Sequence, residues 1–209
     1  MADVVRRFTP PADAVVRRSA GIGPSSFDER DNSFELIFTT GARRTTLRWD
    51  GWDAIEVEEE LATDRKSVRL DRLNDGAPLL ADHSHLIRDV IGSIVPGTAR
   101  MESGMGIARA RLASTPGTAE IGAKIRDGHL RNISVGYKVH TYEITEKPGE
   151  GTLYRAIDWE PLEVSVVSIP ADARAQIRSS EGTNMEDEDE VLEMRQAPAI
   201  INRAVIDGD

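Results

Sequence analysis

Side chains that could act as a thiolate or as a base near neutral pH are few, because the 209-residue chain contains no cysteine and only four histidines. Thiolate catalysis, disulfide bonds and cysteine-ligated zinc sites are therefore excluded. A general base that works near neutral pH, or an imidazole metal ligand, has to come from His83, His85, His129 or His140. Of these, His83 and His85 lie close together in the sequence and form the first candidate site.

This candidate lies in the segment APLLADHSHLIRDVIGSIV, where an apolar strand ends in Asp82, His83, Ser84 and His85. As an i, i+2 pair on a strand, both imidazoles could face one side and bind a metal, with Asp82 or Asp89 as a third ligand. The spacing equally allows two loop histidines that have no function. The segment thus offers a base or a metal ligand without deciding between them.

A candidate nucleophile, Ser134, lies in the segment GHLRNISVGYKV, inside a predicted strand. A serine in a half-buried strand usually forms hydrogen bonds with the backbone and has no catalytic part. The nearby Gly136 favours a catalytic interpretation, because a residue without a side chain leaves room beside the hydroxyl for an acyl group and its oxyanion.

A candidate carboxylate, Glu163, interrupts the apolar strand of the segment DWEPLEVSVVSIPADARA. An inward-facing carboxylate is costly unless it is paired, whereas strand alternation also allows Glu163 to face water. Asp158 and Glu160 are nearby competitors for the same role.

The elements that must position these residues are mostly strands. Alternating apolar residues between Ser33 and Leu61 predict a hairpin or meander, and the later patterns predict further strands and two helices. The strands are expected over Ser67–Leu73, Pro78–Leu80, Asp89–Val95, Gly106–Leu112, Ile133–Ile144, Thr152–Trp159 and Leu162–Ile169, and the helices over Thr115–Asp127 and Asp172–Arg178. The pattern predicts a β-rich α+β domain, arranged as a closed or nearly closed barrel with a few packed helices.

The formal net charge of −10 is concentrated near the C-terminus, where residues 179–209 contain nine acidic residues and two arginines. This composition predicts a disordered acidic linker or tail at 179–209, after a nearly neutral domain at 15–178 and an N-terminal arm at 1–14. The domain shows no basic stripe with interleaved aromatic residues, which argues against nucleic-acid binding. The sequence contains no apolar run long enough to span a membrane and no secretory signal, and it predicts a cytoplasmic protein.

Taken in order, the segments LLADHSH…IG, LRNISVGY and LEVSVVSIPADARA resemble the serine proteases of tailed bacteriophages that mature the prohead. The resemblance covers about Val15 to Arg178. The matching residues are His83 and Gly92 in the first motif, Ser134, Gly136 and Tyr137 in the second, and Glu163, Ser165, Pro170 and Ala171 in the third. The family is similar in fold to the herpesvirus assembly proteases, which implies a β-barrel surrounded by helices.

The resemblance also implies roles for the three candidate residues. Ser134 would be the nucleophile, His83 the general base and Glu163 the group that orients the imidazole, with no cofactor and no metal. The third role is the least fixed, because Asp158 or His85 could take it. The oxyanion would be bound by backbone amides that a sequence does not locate.

The implied function is that of a serine endopeptidase in the host cell cytoplasm, acting inside the assembling prohead. Its substrates would be the scaffold and segments of the major capsid protein, and the herpesvirus-like relatives imply a homodimer. The composition change near Arg178 adds the expectation of self-cleavage there, because a tethered segment reaches the site at high effective concentration. Two different functions stay open beside it, namely a non-catalytic capsid-assembly module of the same fold and a metal-dependent hydrolase that uses His83 and His85.

Overall fold

The computed structural model describes residues 4–10, 15–21, 26–50, 53–147 and 151–169. The predicted helix at Asp172–Arg178 and the acidic tail at 179–209 lie outside the described residues. The strands are β1 (Val4–Phe8), β2 (Val15–Gly21), β3 (Ser33–Thr39), β4 (Arg44–Asp50), β5 (Asp53–Leu61), β6 (Pro78–Ala81), β7 (Val90–Ile94), β8 (Arg100–Glu102), β9 (Met105–Leu112), β10 (Asn132–Lys147) and β11 (Gly151–Val167). The helices are α1 (Asp71–Asn74) and α2 (Pro116–Arg126), and a 3₁₀ turn covers Ile87–Asp89.

All eleven described strands belong to one sheet, whose main path runs β1-β10-β11-β6-β7-β9-β3. Strand β2 pairs with β10, β5 pairs with both β4 and β11, and β8 pairs with β9. This confirms the mostly β fold with few helices. The strand pairings among the described residues do not join the two ends of this path. The sheet is therefore open, and a closed barrel is not confirmed.

The long antiparallel pair β10–β11 forms the middle of the sheet. Its register places Ser134 opposite Ser165 and Gly136 opposite Glu163. On the other side of β10 lie β1 and β2, while β11 pairs in parallel with β5 and β6. Strand β1 falls within the predicted N-terminal arm and pairs with β10 along its whole length.

The core lies against the face of β10 that carries Ile133, Val135, Tyr137 and Val139. Irregularities between Val139 and Tyr142 change the register, so that buried positions continue at Tyr142 and not at residue 141. The largest fully buried side chains are Trp159, Tyr137, Tyr142, Phe34, Phe38, Leu36, Leu61, Leu73, Leu79, Ile94 and Ile107. Burial of this much apolar surface is the main stabilising contribution to the fold.

Helix α2 forms as the sequence predicts. Thr115 and Thr118 form a capping box, in which each side chain bonds to the other residue's backbone or hydroxyl. Pro116 occupies the first helical position, where its missing N–H costs nothing. The helix ends before Gly128, whose φ of +76° suits a residue without a side chain. No helix among the described residues is long and apolar enough to cross a bilayer.

Two predicted elements differ from the structure. The expected strand at Ser67–Leu73 is a turn followed by helix α1, because Ser67 bonds back to Asp64 through both its backbone and its hydroxyl. The two strands expected on either side of Pro161 are one continuous strand, β11. The pairing shifts register here, since Gly136 pairs with Glu163 and Tyr137 with Pro161, so that Leu162 of β11 is the extra residue of a bulge. This bulge accommodates the proline, which has no N–H to donate.

Candidate active site

His83 follows β6 directly and lies in an unusual turn. Its φ is +59° and that of Asp82 is +55°, and left-handed backbone is uncommon for residues that have a side chain, although aspartate and histidine adopt it more often than most. The turn is held by hydrogen bonds from the Asp82 N–H to the Val166 carbonyl (2.9 Å) and from the His83 N–H to Ser165 Oγ (3.2 Å). These contacts fix the imidazole against strand β11.

The His83 ring forms a hydrogen bond with the predicted carboxylate. Nδ1 of His83 lies 2.7 Å from Oε1 of Glu163, and the two side chains are 14% and 8% exposed. A carboxylate accepts hydrogen bonds, so this contact favours the imidazole tautomer that carries its proton on Nδ1. Nε2 is then the nitrogen that can accept a proton from another group.

Glu163 is held on both of its oxygens. Ser165 Oγ donates to Oε2 (2.7 Å), while Oε1 contacts His83. A Cβ atom added at Gly136 would lie 2.3 Å from Oε1, far inside van der Waals contact. The expectation that Gly136 leaves space for an acyl group is therefore wrong for this spot, because the Glu163 carboxylate occupies the space beside the glycine.

Ser134 lies on the same side of the sheet as these groups. Residues that face each other across an antiparallel pair point to the same face, so Ser134 is next to Ser165, and Gly136 is next to Glu163. Ser134 is buried, and within the described part of the chain its hydroxyl forms no hydrogen bond. The structure thus gathers Ser134, His83 and Glu163 around one end of the β10–β11 pair.

The competing carboxylates are engaged elsewhere. Asp158 forms a bidentate ion pair with Arg69 (2.6 and 2.7 Å), and Glu160 pairs with Arg72 (2.9 Å) and lies 3.4 Å from His140.

The geometry gives little support to the predicted metal site at His83 and His85. His85 is exposed, and Asp89 accepts a hydrogen bond from Ser84 in the loop that follows His83. Among the described residues no group of three or more histidine, aspartate or glutamate side chains could hold a metal ion. The pair of histidines with Asp82 or Asp89 therefore does not assemble as a ligand set.

Gly92, the glycine of the first motif, has a packing role. A Cβ atom at this position would lie 2.1 Å from the carbonyl oxygen of Arg111 on the neighbouring strand β9. The absence of a side chain therefore allows β7 and β9 to approach each other at this point.

A second buried carboxylate, Glu59, was not anticipated. Its side chain is fully buried and contacts three guanidinium groups and two phenols. We call Glu59 and these five side chains the Glu59 cluster. The cluster comprises Arg18 (3.7 Å), Arg44 (2.9 Å), Arg48 (2.8 Å), Tyr137 (2.8 Å) and Tyr142, all facing the Glu59 carboxylate. The strand pattern of EVEEEL contains the signal, because Glu59 alternates in phase with the buried Val57 and Leu61.

The electrostatics of the Glu59 cluster keep its carboxylate charged. Burial by itself raises the pKa of Glu59, but the Tyr142 hydrogen bond and the charges of Arg44 and Arg18 outweigh it, so the pKa lies below the usual 4.5. Burial and the nearby Glu59 charge raise the pKa of the Tyr137 and Tyr142 hydroxyls, which therefore remain protonated donors.

Comparison with known proteins gives likenesses to two individual phage proteins. Over 138 residues the chain is 28% identical to a major capsid protein of Halomonas phage phiHAP-1, which is 65% of this chain and 22% of that protein. The chain thus spans about a fifth of the length of this curated relative. Among solved structures, the capsid assembly protease of bacteriophage T4 aligns with a TM-score of 0.42 and 12% identity, over 73% of this chain and 96% of that chain.

The family comparison is more extensive and covers all three candidate residues. The model of the Caudovirus prohead serine protease family matches residues 48–188, which is more than half of the chain and includes His83, Ser134 and Glu163. The resemblance found in the three sequence motifs is thereby confirmed. The chain belongs to the Caudovirus prohead serine protease family.

Proposed function

We propose that this member of the prohead serine proteases cleaves peptide bonds with Ser134 as nucleophile, His83 as general base and Glu163 as the orienting group. The observation that carries the proposal is the 2.7 Å contact between His83 Nδ1 and Glu163 Oε1, one strand away from Ser134. A serine hydroxyl is a weak nucleophile unless a base removes its proton, and the base works best when a third group holds its tautomer.

In the first half of the reaction, Ser134 Oγ attacks the scissile carbonyl carbon while its proton passes to Nε2 of His83. The tetrahedral intermediate then collapses, the C–N bond breaks, and the same proton passes from His83 to the leaving amine. The amino-terminal part of the substrate remains attached to Ser134 as an ester. During these steps the Glu163 carboxylate stabilises the positive charge that forms on His83.

In the second half, His83 removes a proton from a water molecule, whose oxygen attacks the ester carbon. When this second tetrahedral intermediate collapses, the proton on His83 returns to Ser134 Oγ. The products are a carboxylic acid and an amine, and the enzyme regains its starting protonation state. No cofactor or metal enters these steps.

The proposed substrates are polypeptides of the capsid, namely the scaffold and segments of the major capsid protein. Membership of a prohead protease family supports this assignment, and so does the partial likeness to a phage major capsid protein. We propose that cleavage takes place inside the assembling prohead, in the cytoplasm of the host cell.

The proposed architecture is a nearly closed, herpesvirus-protease-like barrel that spans residues 15–178 and acts as a homodimer. The close approach of β2 to β3, the two strands on either side of the opening, supports the barrel-like curvature. Size measurement in solution tests the homodimer, and a monomer at all concentrations would contradict it.

The catalytic assignment is tested by incubating the purified wild type and Ser134→Ala with a capsid and scaffold substrate. New termini are mapped by mass spectrometry. We expect wild-type cleavage and its near-complete loss, by up to about a million-fold, in Ser134→Ala and in His83→Ala.

His85→Ala is the matched histidine control, because His85 is exposed and lies only two residues from His83. It is expected to retain most of the activity. Continued cleavage by Ser134→Ala would contradict the nucleophile assignment. A wild-type protein that cleaves no capsid polypeptide would instead favour a non-catalytic assembly module.

Self-cleavage near Arg178 is a separate proposal, supported by the change to acidic composition after this residue. The intact mass of the wild-type chain should fall by the mass of the acidic segment, while Ser134→Ala stays full length. A wild-type chain that remains full length while it cuts an added substrate would contradict self-cleavage alone.

A further inference from the structure

Ser165 joins the two supporting members of the site and is fully buried. Its Oγ accepts a hydrogen bond from the His83 backbone N–H (3.2 Å) and donates one to Glu163 Oε2 (2.7 Å). It therefore contacts the base through the main chain and the carboxylate through its side chain. No other described side chain forms hydrogen bonds with both residues.

The direction of these bonds follows from the chemistry of the groups. A backbone N–H can only donate, so the Ser165 oxygen is the acceptor toward His83. Its own proton is then free to be donated, and the Glu163 carboxylate can only accept it. The hydroxyl thus uses its proton and one lone pair in a directed chain from the His83 main chain to the Glu163 carboxylate.

Both partners need such support. His83 and Asp82 have left-handed backbone, which persists only where surrounding contacts hold it. Glu163 points its carboxylate at His83 only if the group does not rotate. The bond to Oε2 holds the carboxylate, and the absence of a side chain at Gly136 leaves the space that it occupies.

We propose that Ser165 is a positioning residue that sets the His83–Glu163 geometry, an inference that rests on the proposed serine protease function. Ser165 is not a second nucleophile, because its proton is already donated to a carboxylate. It acts through Glu163 and His83 and does not touch the reacting atoms. Ser134, directly opposite on β10, remains the proposed nucleophile.

The first test compares Ser165→Ala with Ser168→Ala, an exposed serine three residues further along the chain. For Ser165→Ala we expect kcat to fall about 10- to 100-fold, the usual scale for a lost orienting contact, with KM unchanged. Ser168→Ala should match the wild type. Wild-type kcat in Ser165→Ala would overturn the inference, and so would an equal loss in Ser168→Ala.

The second test measures the His83–Glu163 hydrogen bond itself, which a general loss of stability would not change. In proton NMR, the His83 Nδ1–H bound to Glu163 should give a downfield resonance, assigned by its absence in His83→Ala. The resonance should weaken or shift in Ser165→Ala and persist in Ser168→Ala and Ser134→Ala. An unchanged resonance in Ser165→Ala would overturn the inference.

A double-mutant cycle gives the third test. Because Ser165 acts through Glu163, Ser165→Ala should cost little additional activity in a Glu163→Gln background, and additive losses would contradict the coupling. Should Ser165→Ala not fold, Ser165→Cys keeps the side-chain shape with only a weak donor and is expected to show the same losses. If the wild type cleaves nothing, the proposed function fails, while the NMR comparison still decides the role of Ser165.

Discussion

The chain buries two glutamates, and their surroundings differ completely. Glu163 contacts one imidazole and one hydroxyl. Glu59 contacts three guanidinium groups and two phenols, none of which changes protonation near neutral pH. The two side chains belong to the same residue type and are comparably buried, yet only Glu163 is paired with a group that can take up and release a proton.

This difference separates a fully paired buried carboxylate from one whose contacts suit the chemistry proposed above. A buried charge is stable when it is fully paired and hydrogen-bonded, which is the situation of Glu59. In the proposed mechanism a carboxylate stabilises a transient imidazolium, and the contact of Glu163 with His83 Nδ1 supplies the partner that this role requires. Substitutions at the two sites should therefore affect different properties of the protein.

The largest effect is expected from Glu163→Gln, measured as kcat on a capsid substrate. An amide in place of the carboxylate no longer stabilises the imidazolium, and it favours the wrong tautomer of His83. We expect a loss of about a thousand- to ten-thousand-fold, with the unfolding free energy little changed. Full activity in this variant would move the orienting role to another residue and remove the contrast with Glu59.

The next effect is on stability. Glu59→Ala leaves Arg18 and the two tyrosines without their acceptor in the interior, and we expect the free energy of unfolding in urea to fall by about 3–5 kcal/mol. Glu56→Ala, an exposed glutamate on the same strand, is the control and should change little. An equally small change at both positions would show that the Glu59 cluster is not needed for stability.

A smaller effect is expected from Gly136→Ala. The added Cβ displaces the Glu163 carboxylate, which can rotate away because it is the end of a flexible side chain. The protein should therefore fold, while kcat falls about 10- to 100-fold as the contact with His83 is lost. Gly117→Ala is the control, since nothing lies within 4 Å of its added Cβ. Unchanged kcat in Gly136→Ala would show that the carboxylate does not need its present position.

The smallest effect concerns acid stability. The pKa of Glu59 is lower in the folded state than its usual 4.5, so in this range this carboxylate is protonated less in the folded protein than in the unfolded chain. The stability that Glu59 contributes is complete above the unfolded pKa and is lost as the pH falls through the folded pKa. Glu59→Gln should therefore lose less stability than the wild type between about pH 5 and pH 3, measured by urea unfolding. Parallel curves would contradict this account.

The sequence predicts the three candidate site residues better than it predicts the residue that positions them. Ser134 and Glu163 each interrupt an apolar strand pattern, and His83 follows the end of one. In the structure His83 contacts Glu163, and Ser134 lies on the same face of the β10–β11 pair. Ser165 has the same alternation phase as Glu163, but nothing local shows that it also receives the N–H of His83, 82 residues away. Such long-range contacts depend on strand order, which a single sequence does not encode locally.

The fold likewise divides into local features that the sequence predicts and long-range pairings that it does not. Strand positions and helix α2 follow from alternation, capping and glycine placement, all of which act over a few residues. The prediction at Ser67–Leu73 is wrong because a side-chain hydrogen bond to Asp64 turns the chain. The continuity of β11 through Pro161 depends on a bulge at Leu162 of β11 itself, which only the strand pairing reveals.

Strand β11 is the last of the described strands, and its place in the sheet affects the order in which the chain folds. It lies between β10 and β6, and the His83 turn is bonded to it through Val166 and Ser165. On the ribosome, the strands that precede it can form hairpins, but the sheet joins only after residue 167 has emerged. Pairing across such separations is slow, so each newly made chain passes through a period in which Ser134 and His83 exist without a common site. For the proposed protease, the topology would delay peptide cleavage until β11 has joined the sheet.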